Sequence, residues 1–110
     1  MLIFPLKKEW YEKIKSGEKT IEYREVKPYW SKRFFGKDYI QEGNLLPPIM
    51  TKNHCKLRLG YTNKYMSAKI MLIKIVDGKD TDLHIDKPVY AIHLSDVSEV
   101  KKTPLEKWHN

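Results

Sequence analysis

The sequence predicts a small α+β domain: a curled sheet or partly open barrel of about five to six strands, with two early helices and a short C-terminal helix. Three observations lead there. The chain has 110 residues, enough for one core and too few for two, so 1–110 reads as a single domain. Two stretches with helical periodicity fall before residue 37. After residue 54 the pattern changes to alternation and apolar runs, which makes neighbouring strands.

Met1 to Leu6 reads as a first strand, apolar on both faces, with Pro5 at its end. Lys7 to Ser16 has an amphipathic helical pattern, because Leu6, Trp10 and Ile14 recur every fourth residue and Tyr11 widens the stripe. Trp10, on that stripe, is read as a core anchor. Glu9 precedes Lys13 by one turn, and Gly17 suits a left-handed stop. A strand follows at Thr20 to Glu25. Pro28 fits the first turn of a second helix ending at Gly36, with Trp30 and Phe34 facing inward.

The segment from Lys37 to His54 has no period and contains Gly43, Asn44, Pro47 and Pro48, so it reads as a long loop insertion at about 37–54. Its apolar residues Leu45, Leu46, Ile49 and Met50 predict that it folds back on the body. Cys55, Leu57, Leu59 and Tyr61 alternate with Lys56 and Arg58, which predicts a strand with one basic face. Ser67 to Val76, apolar on both faces, reads as a central strand stopped by Asp77 and Gly78. Lys79 to Lys87 is an acidic surface loop. Val89 to Val100 is a last strand with a bend near Ser95 and Asp96, and Thr103 to Glu106 has a capping-box pattern for the terminal helix.

Charge narrows the partner. The net charge is +7, and it is unevenly placed: residues 7–37 hold ten Lys/Arg against five Asp/Glu, and residues 52–74 hold six basic groups and no acidic ones. Residues 75–110 carry seven acidic against five basic groups. Two basic segments folded side by side would suit a polyanion, with nucleic acid the first choice and a solubilising surface the alternative. The opening residues are too few for a secretory signal and no apolar run approaches membrane-spanning length, so a cytoplasmic location and no membrane partner are expected. Lone Cys55 excludes an internal disulfide, and His54, His84, His93 and His109 are scattered without metal-ligand spacing. Neither metal nor cofactor is expected, and the oligomeric state is left open.

The chemistry concentrates in Gly17 to Glu25. In a strand Thr20, Glu22 and Arg24 share one face and Ile21 and Tyr23 the other, so the first face is expected to be free for chemistry and the second to bury. Glu22 and Arg24 stand roughly 7 Å apart at the backbone, near enough to converge on one ligand, and Lys19 adds a third charge. Tyr29 and Arg33 share a helix face where a flat ring and a planar cation can each stack on a base.

The succession of a strand, a Trp-bearing helix, Gly17-Glu18-Lys19-Thr20, Ile21 to Glu25, Lys27 to Trp30 and Lys32 to Phe34 resembles the ASCH family, whose fold is a PUA-like β-barrel. The resemblance is close over Gly17 to Phe34. It continues loosely through Leu57 to Tyr61 and Tyr90 to Leu94, and it does not extend to Lys37 to His54. It implies a cleft near the Gly-x-Lys-Thr segment and RNA or a modified nucleoside or nucleotide as ligand. Some members are amidohydrolases on acylated cytidine, and others are ribonucleases. In the amidohydrolase branch a lysine, a threonine three residues later and a glutamate from another strand form the catalytic set. Lys19 matches the lysine, Glu22 stands where that threonine would be, and residues 52–74 offer no distal glutamate.

Two functions follow as expectations. In a binding module for RNA or a nucleotide, Lys19, Arg24, Arg58 and Arg33 meet phosphate, Glu22 accepts from a base or ribose, Thr20 lines the cleft, and Tyr23, Tyr29 or Tyr61 supplies a stacking face. In a metal-independent hydrolase, Glu22 activates water and Lys19 or Arg24 stabilises the developing negative charge on an oxyanion or a pentacovalent phosphate. Binding is preferred, because ion-paired networks of this kind commonly occur without catalysis. A solvated structural ion pair is the third possibility.

Overall fold

The structure is a computed structural model that describes residues 2–35 and 54–100. Its order is β1 (Leu2–Leu6), α1 (Lys8–Ser16), β2 (Ile21–Glu25), α2 (Pro28–Phe35), β3 (His54–Leu59), β4 (Tyr65–Asp77), a 3₁₀ turn (Gly78–Asp80) and β5 (Pro88–Val100). The five strands form one curled mixed sheet in the order β1-β3-β4-β5-β2, with β1 parallel to β3 and the other pairs antiparallel. The expected α+β half-barrel with two early helices is therefore present. The expected 37–54 insertion up to residue 53, the stop at Gly36 and the helix after Thr103 lie outside the described residues, while His54, expected to end that loop, instead opens β3.

The core lies on the concave side. Leu2, Phe4 and Leu6 alternate inward with Cys55 and Leu57 of β3, Met66, Ala68, Ile70 and Ile73 of β4, and Tyr90, Ile92 and Leu94 of β5. Two helices close it. Tyr11 and Ile14 of α1 are fully enclosed, and Tyr11 donates to Glu99 Oε2 at 3.1 Å. Burial alone would raise the Glu99 carboxyl, but that hydrogen bond, another from Lys15 and the charges of Lys15 and Lys64 outweigh it and hold it below its ordinary range. From α2, Phe34 packs edge-on to Tyr90 at 5.0 Å, while Ser31 and Tyr90 hydroxyls meet at 2.5 Å. Burying a ring such as Phe34 contributes about 2 kcal/mol.

Three expectations change. The first strand is not buried on both faces: β1 is an edge strand, with Ile3 and Pro5 half-buried, and Pro5 lies inside it because an edge tolerates a missing N–H donor. The apolar run of β4 does not alternate evenly. Ile70 opposes Leu94 and Leu72 opposes His93, so one extra β4 residue, Met71, bulges out at 62 % exposure and Ile70 and Ile73 both face the core. Between Ser67 and Lys69 the one extra residue belongs to β5, where Asp96 has φ 51, which is the bend expected near Ser95 and Asp96.

Trp10 is the third. The core side of α1 is made by Tyr11 and Ile14, and Trp10 stays half-buried at its edge. At the helix end Gly17 has φ 87 and donates to Ile14 O, after which Lys19 N–H donates to Lys13 O. The chain thereby folds back along the last turn of α1. Lys19 arrives beside Trp10.

Candidate functional site

β2 carries the charges, and its register decides where they point. Glu22 opposes Ile92 and Arg24 opposes Tyr90 across the antiparallel pair. Both partners belong to the core, and opposed residues project to the same side. Glu22 and Arg24 therefore face inward, and Glu22 is only 7 % exposed. The expectation that Ile21 and Tyr23 form the buried face is corrected: both are half-buried, and the face with the carboxylate is the inner one.

A buried carboxylate needs partners, and Glu22 has two. Arg24 donates to Oε2 through Nη2 at 2.7 Å and Nε at 3.1 Å, and Lys19 Nζ lies 3.6 Å from Oε1. The same Arg24 Nη2 donates to Pro5 O at 2.8 Å, and the guanidinium lies 5.3 Å from the ring centroids of both Phe4 and Trp30. Since β1 and β2 are the two edges of the sheet, Arg24 crosses the open seam of the half-barrel with a side chain in place of a strand ladder. Its chemistry is spent there.

Lys19 connects this buried pair to a cleft of about 250 Å³ lined by Trp10, Lys13, Glu18, Lys19, Thr20, Ile21, Tyr23 and Asp82. Its ammonium pairs with Asp82 Oδ2 and lies 4.8 Å from the Tyr23 ring centroid and 5.4 Å from that of Trp10. Lys13 pairs with Glu18 at 3.7 Å on the rim. Burial, with the Asp82 charge added, raises the Tyr23 phenol above its ordinary value, so the ring presents a neutral hydroxyl. Burial likewise pushes the Cys55 thiol up to about 12, with the Glu22 charge contributing, so Cys55 is an inert core group.

Asp82 is delivered by a tightly closed loop. Gly78 N–H donates to Lys87 O at 2.8 Å, Ile85 N–H donates to Gly78 O at 3.2 Å, and the Thr81 hydroxyl donates to Gly78 O at 2.9 Å. A Cβ on Gly78 would stand 2.6 Å from Lys87 O and 2.7 Å from Ile85 O, so the approach requires glycine.

Of the residues singled out in the sequence, Lys19, Thr20 and Tyr23 line the cleft, Glu22 lies behind Lys19, and Arg24 lies beyond Glu22 in the seam. The others lie elsewhere. Tyr29 and Arg33 pair with each other on α2, with the guanidinium 3.5 Å from the ring centroid and Arg33 Nη1 donating to Tyr29 O. Tyr61 is 89 % exposed in the β3–β4 turn. Arg58 alternates with the buried Leu57 and so projects from the outer face of the sheet, away from the hollow it was expected to wall.

Trp10 and Asp82 were missed. The spacing of Trp10 to Lys13, one turn along α1 on the side facing the returning chain, was a usable signal. Asp82 gave none, because its position depends on a loop closed by backbone contacts.

Chemically, the site has two aromatic walls around an ammonium whose charge is met by carboxylates, with hydroxyls at Thr20 and Tyr23. Both oxygens of Glu22 are engaged by cations. Among the described residues no group of three or more His, Cys, Asp or Glu side chains is placed to hold a metal ion, and no helix is long and apolar enough to cross a membrane. No family model, curated protein or solved structure matches this chain.

Proposed function

We propose that this chain is an RNA- or nucleotide-binding domain of the ASCH, PUA-like type, and that its cleft takes a nucleobase. The observation that carries the reading is the placement of Lys19 beside both the Trp10 and Tyr23 rings with Asp82 and Glu22 as its counter-charges. Two aromatic rings with fixed donors and acceptors around them suit a flat heterocycle that is itself uncharged. Phosphate suits the cleft less well than the basic sequence implied, because Lys13 and Lys19 both have carboxylate partners. Binding stands ahead of hydrolysis by Lys19 and Glu22, since Glu22 is buried in ion pairs behind Lys19 and is not one of the residues lining the cleft, where a substrate and its attacking water would sit.

Nuclear magnetic resonance with unmodified nucleosides and with an acylated cytidine tests the reading. Saturable shifts of the Lys19, Tyr23 and Asp82 amides are expected, and they vanish in Trp10→Ala. Absence of saturable shifts with every nucleoside and with short RNA would overturn it. Release of free acid from the acylated cytidine in the same samples would move the protein to the hydrolases.

A further inference from the structure

The outer face of β3 and β4 carries six side chains in a regular grid. His54, Lys56 and Arg58 alternate along β3, and the residues directly opposite on β4 are Lys69, Ser67 and Tyr65. Cys55 and Leu57 between them are buried on the concave side, so the six share the convex one. A diagonal contact agrees with this: Lys56 Nζ lies 4.6 Å from the Tyr65 ring centroid. Among the described residues one carboxylate reaches the grid, Asp96 at 3.4 Å from Lys69, and its side chain is 68 % exposed. Neither Lys56 nor Arg58 has a carboxylate within ion-pair distance among those residues. Their strand is drawn from residues 52–74, which contain no acidic group.

The concave side is the opposite case. There Lys13, Lys19 and Arg24 each have a carboxylate partner. Releasing counterions from phosphates requires cations that are not already neutralised, and the grid supplies them. Lys56 and Arg58 are alternate strand residues, about 7 Å apart along β3, a spacing similar to that of successive phosphates in an extended strand. Tyr65, on β4 opposite Arg58, adds a ring of the kind on which a base stacks.

We infer that the convex β3–β4 face, through Lys56, Arg58 and Lys69, binds the sugar–phosphate backbone of single-stranded RNA. The choice of RNA among polyanions rests on the base-binding reading of the cleft. The face and the cleft are separate surfaces, so each can fail alone.

The test uses the full chain, a fluorescein-labelled single-stranded RNA oligonucleotide of mixed sequence, and fluorescence anisotropy across a salt series. Lys56→Glu with Arg58→Glu is compared with Lys8→Glu with Lys32→Glu, which changes net charge equally at exposed positions on the two helices, outside the cleft lining. Lys56→Gln with Arg58→Gln provides a milder second variant. The unsubstituted chain is expected to show a linear fall of log affinity with log salt. The β3 reversal lowers affinity at least about tenfold, the glutamine pair flattens the salt slope by roughly one to two, and the control stays within about threefold. Equal losses in both reversals, an unchanged affinity in the β3 variants, or no RNA binding by the unsubstituted chain overturns the inference. A duplex bound as tightly as the single strand overturns the single-strand assignment. Nucleoside shifts in the cleft with RNA affinity indifferent to Lys56 and Arg58 sink the face alone. RNA binding that depends on those residues, with no nucleoside response, sinks the cleft alone.

Discussion

The cleft beside α1 and the convex face of β3 and β4 draw on the same residue types and use them oppositely. In the cleft and behind it, Lys13, Lys19 and Arg24 each lie against a carboxylate, and Glu22 is buried between two of them. On the convex face the half-buried Lys56 and Arg58 stand without one among the described residues. The placement of acids explains the difference: Glu18, Glu22 and Asp82 stand beside the cleft cations, whereas residues 52–74 hold no acidic group. A cation with no carboxylate beside it is free to exchange its counterion for a ligand. Net charge therefore locates neither surface, and partner assignment does.

The contrast is broken most directly at Glu22. Glu22→Ala leaves Lys19 and Arg24 facing an unfilled site, and urea denaturation is expected to show a loss of about 3 kcal/mol. A loss under about 1 kcal/mol would mean that the pair is solvated and the two regions are alike. Next comes pH. The Cys55 thiol is pushed up from 9.0 to about 12 in the folded chain, so the unfolded thiol ionises first. Stability is complete below pH 9 and is lost as pH rises toward the folded value, by about 1.4 kcal/mol per unit. A melting series from pH 8 to 10.5 should decline, and Cys55→Ala should flatten it; Tyr11, also raised, leaves a residual slope above its ordinary value of 10.0.

Smaller effects sharpen the comparison. Gly78→Ala forces a Cβ against Lys87 O and Ile85 O and is expected to cost about 1.5 kcal/mol by denaturation. It also shifts Asp82 away from Lys19, so nucleoside binding weakens together with stability. Smallest of all is the convex face: Lys56→Gln and Arg58→Gln should each leave stability within about 0.5 kcal/mol. A thermal melt that moved as far for these as for Glu22→Ala would show that the outer cations are structural.

Much of the architecture could be read from periodicity. Gly17 ends a helix, Asp77 and Gly78 end a strand, and Cys55, Leu57 and the apolar run after Ser67 supply the inner face, because each is a local preference expressed over a few residues. The site was legible only in part. Lys19, Glu22 and Arg24 stood out by residue type, but the face of β2 that turned inward was misjudged, since alternation gives two faces and cannot say which one packs. Trp10 was assigned to the core on its helical stripe. The chain's return after Gly17 placed it at the cleft instead.

By itself the sequence determined, for the described residues, most of the helix and strand segments, that one strand carries both charge signs, and that residues 52–74 hold no acidic group. Only the tertiary structure decided that Glu22 is buried against Ile92, that Arg24 spans the seam to Pro5, that Asp82 closes on Lys19, and that Arg58 points the other way. The physical reason is that periodicity is set within one element, whereas burial and ion pairing are set by strand register and loop closure between elements far apart in the chain.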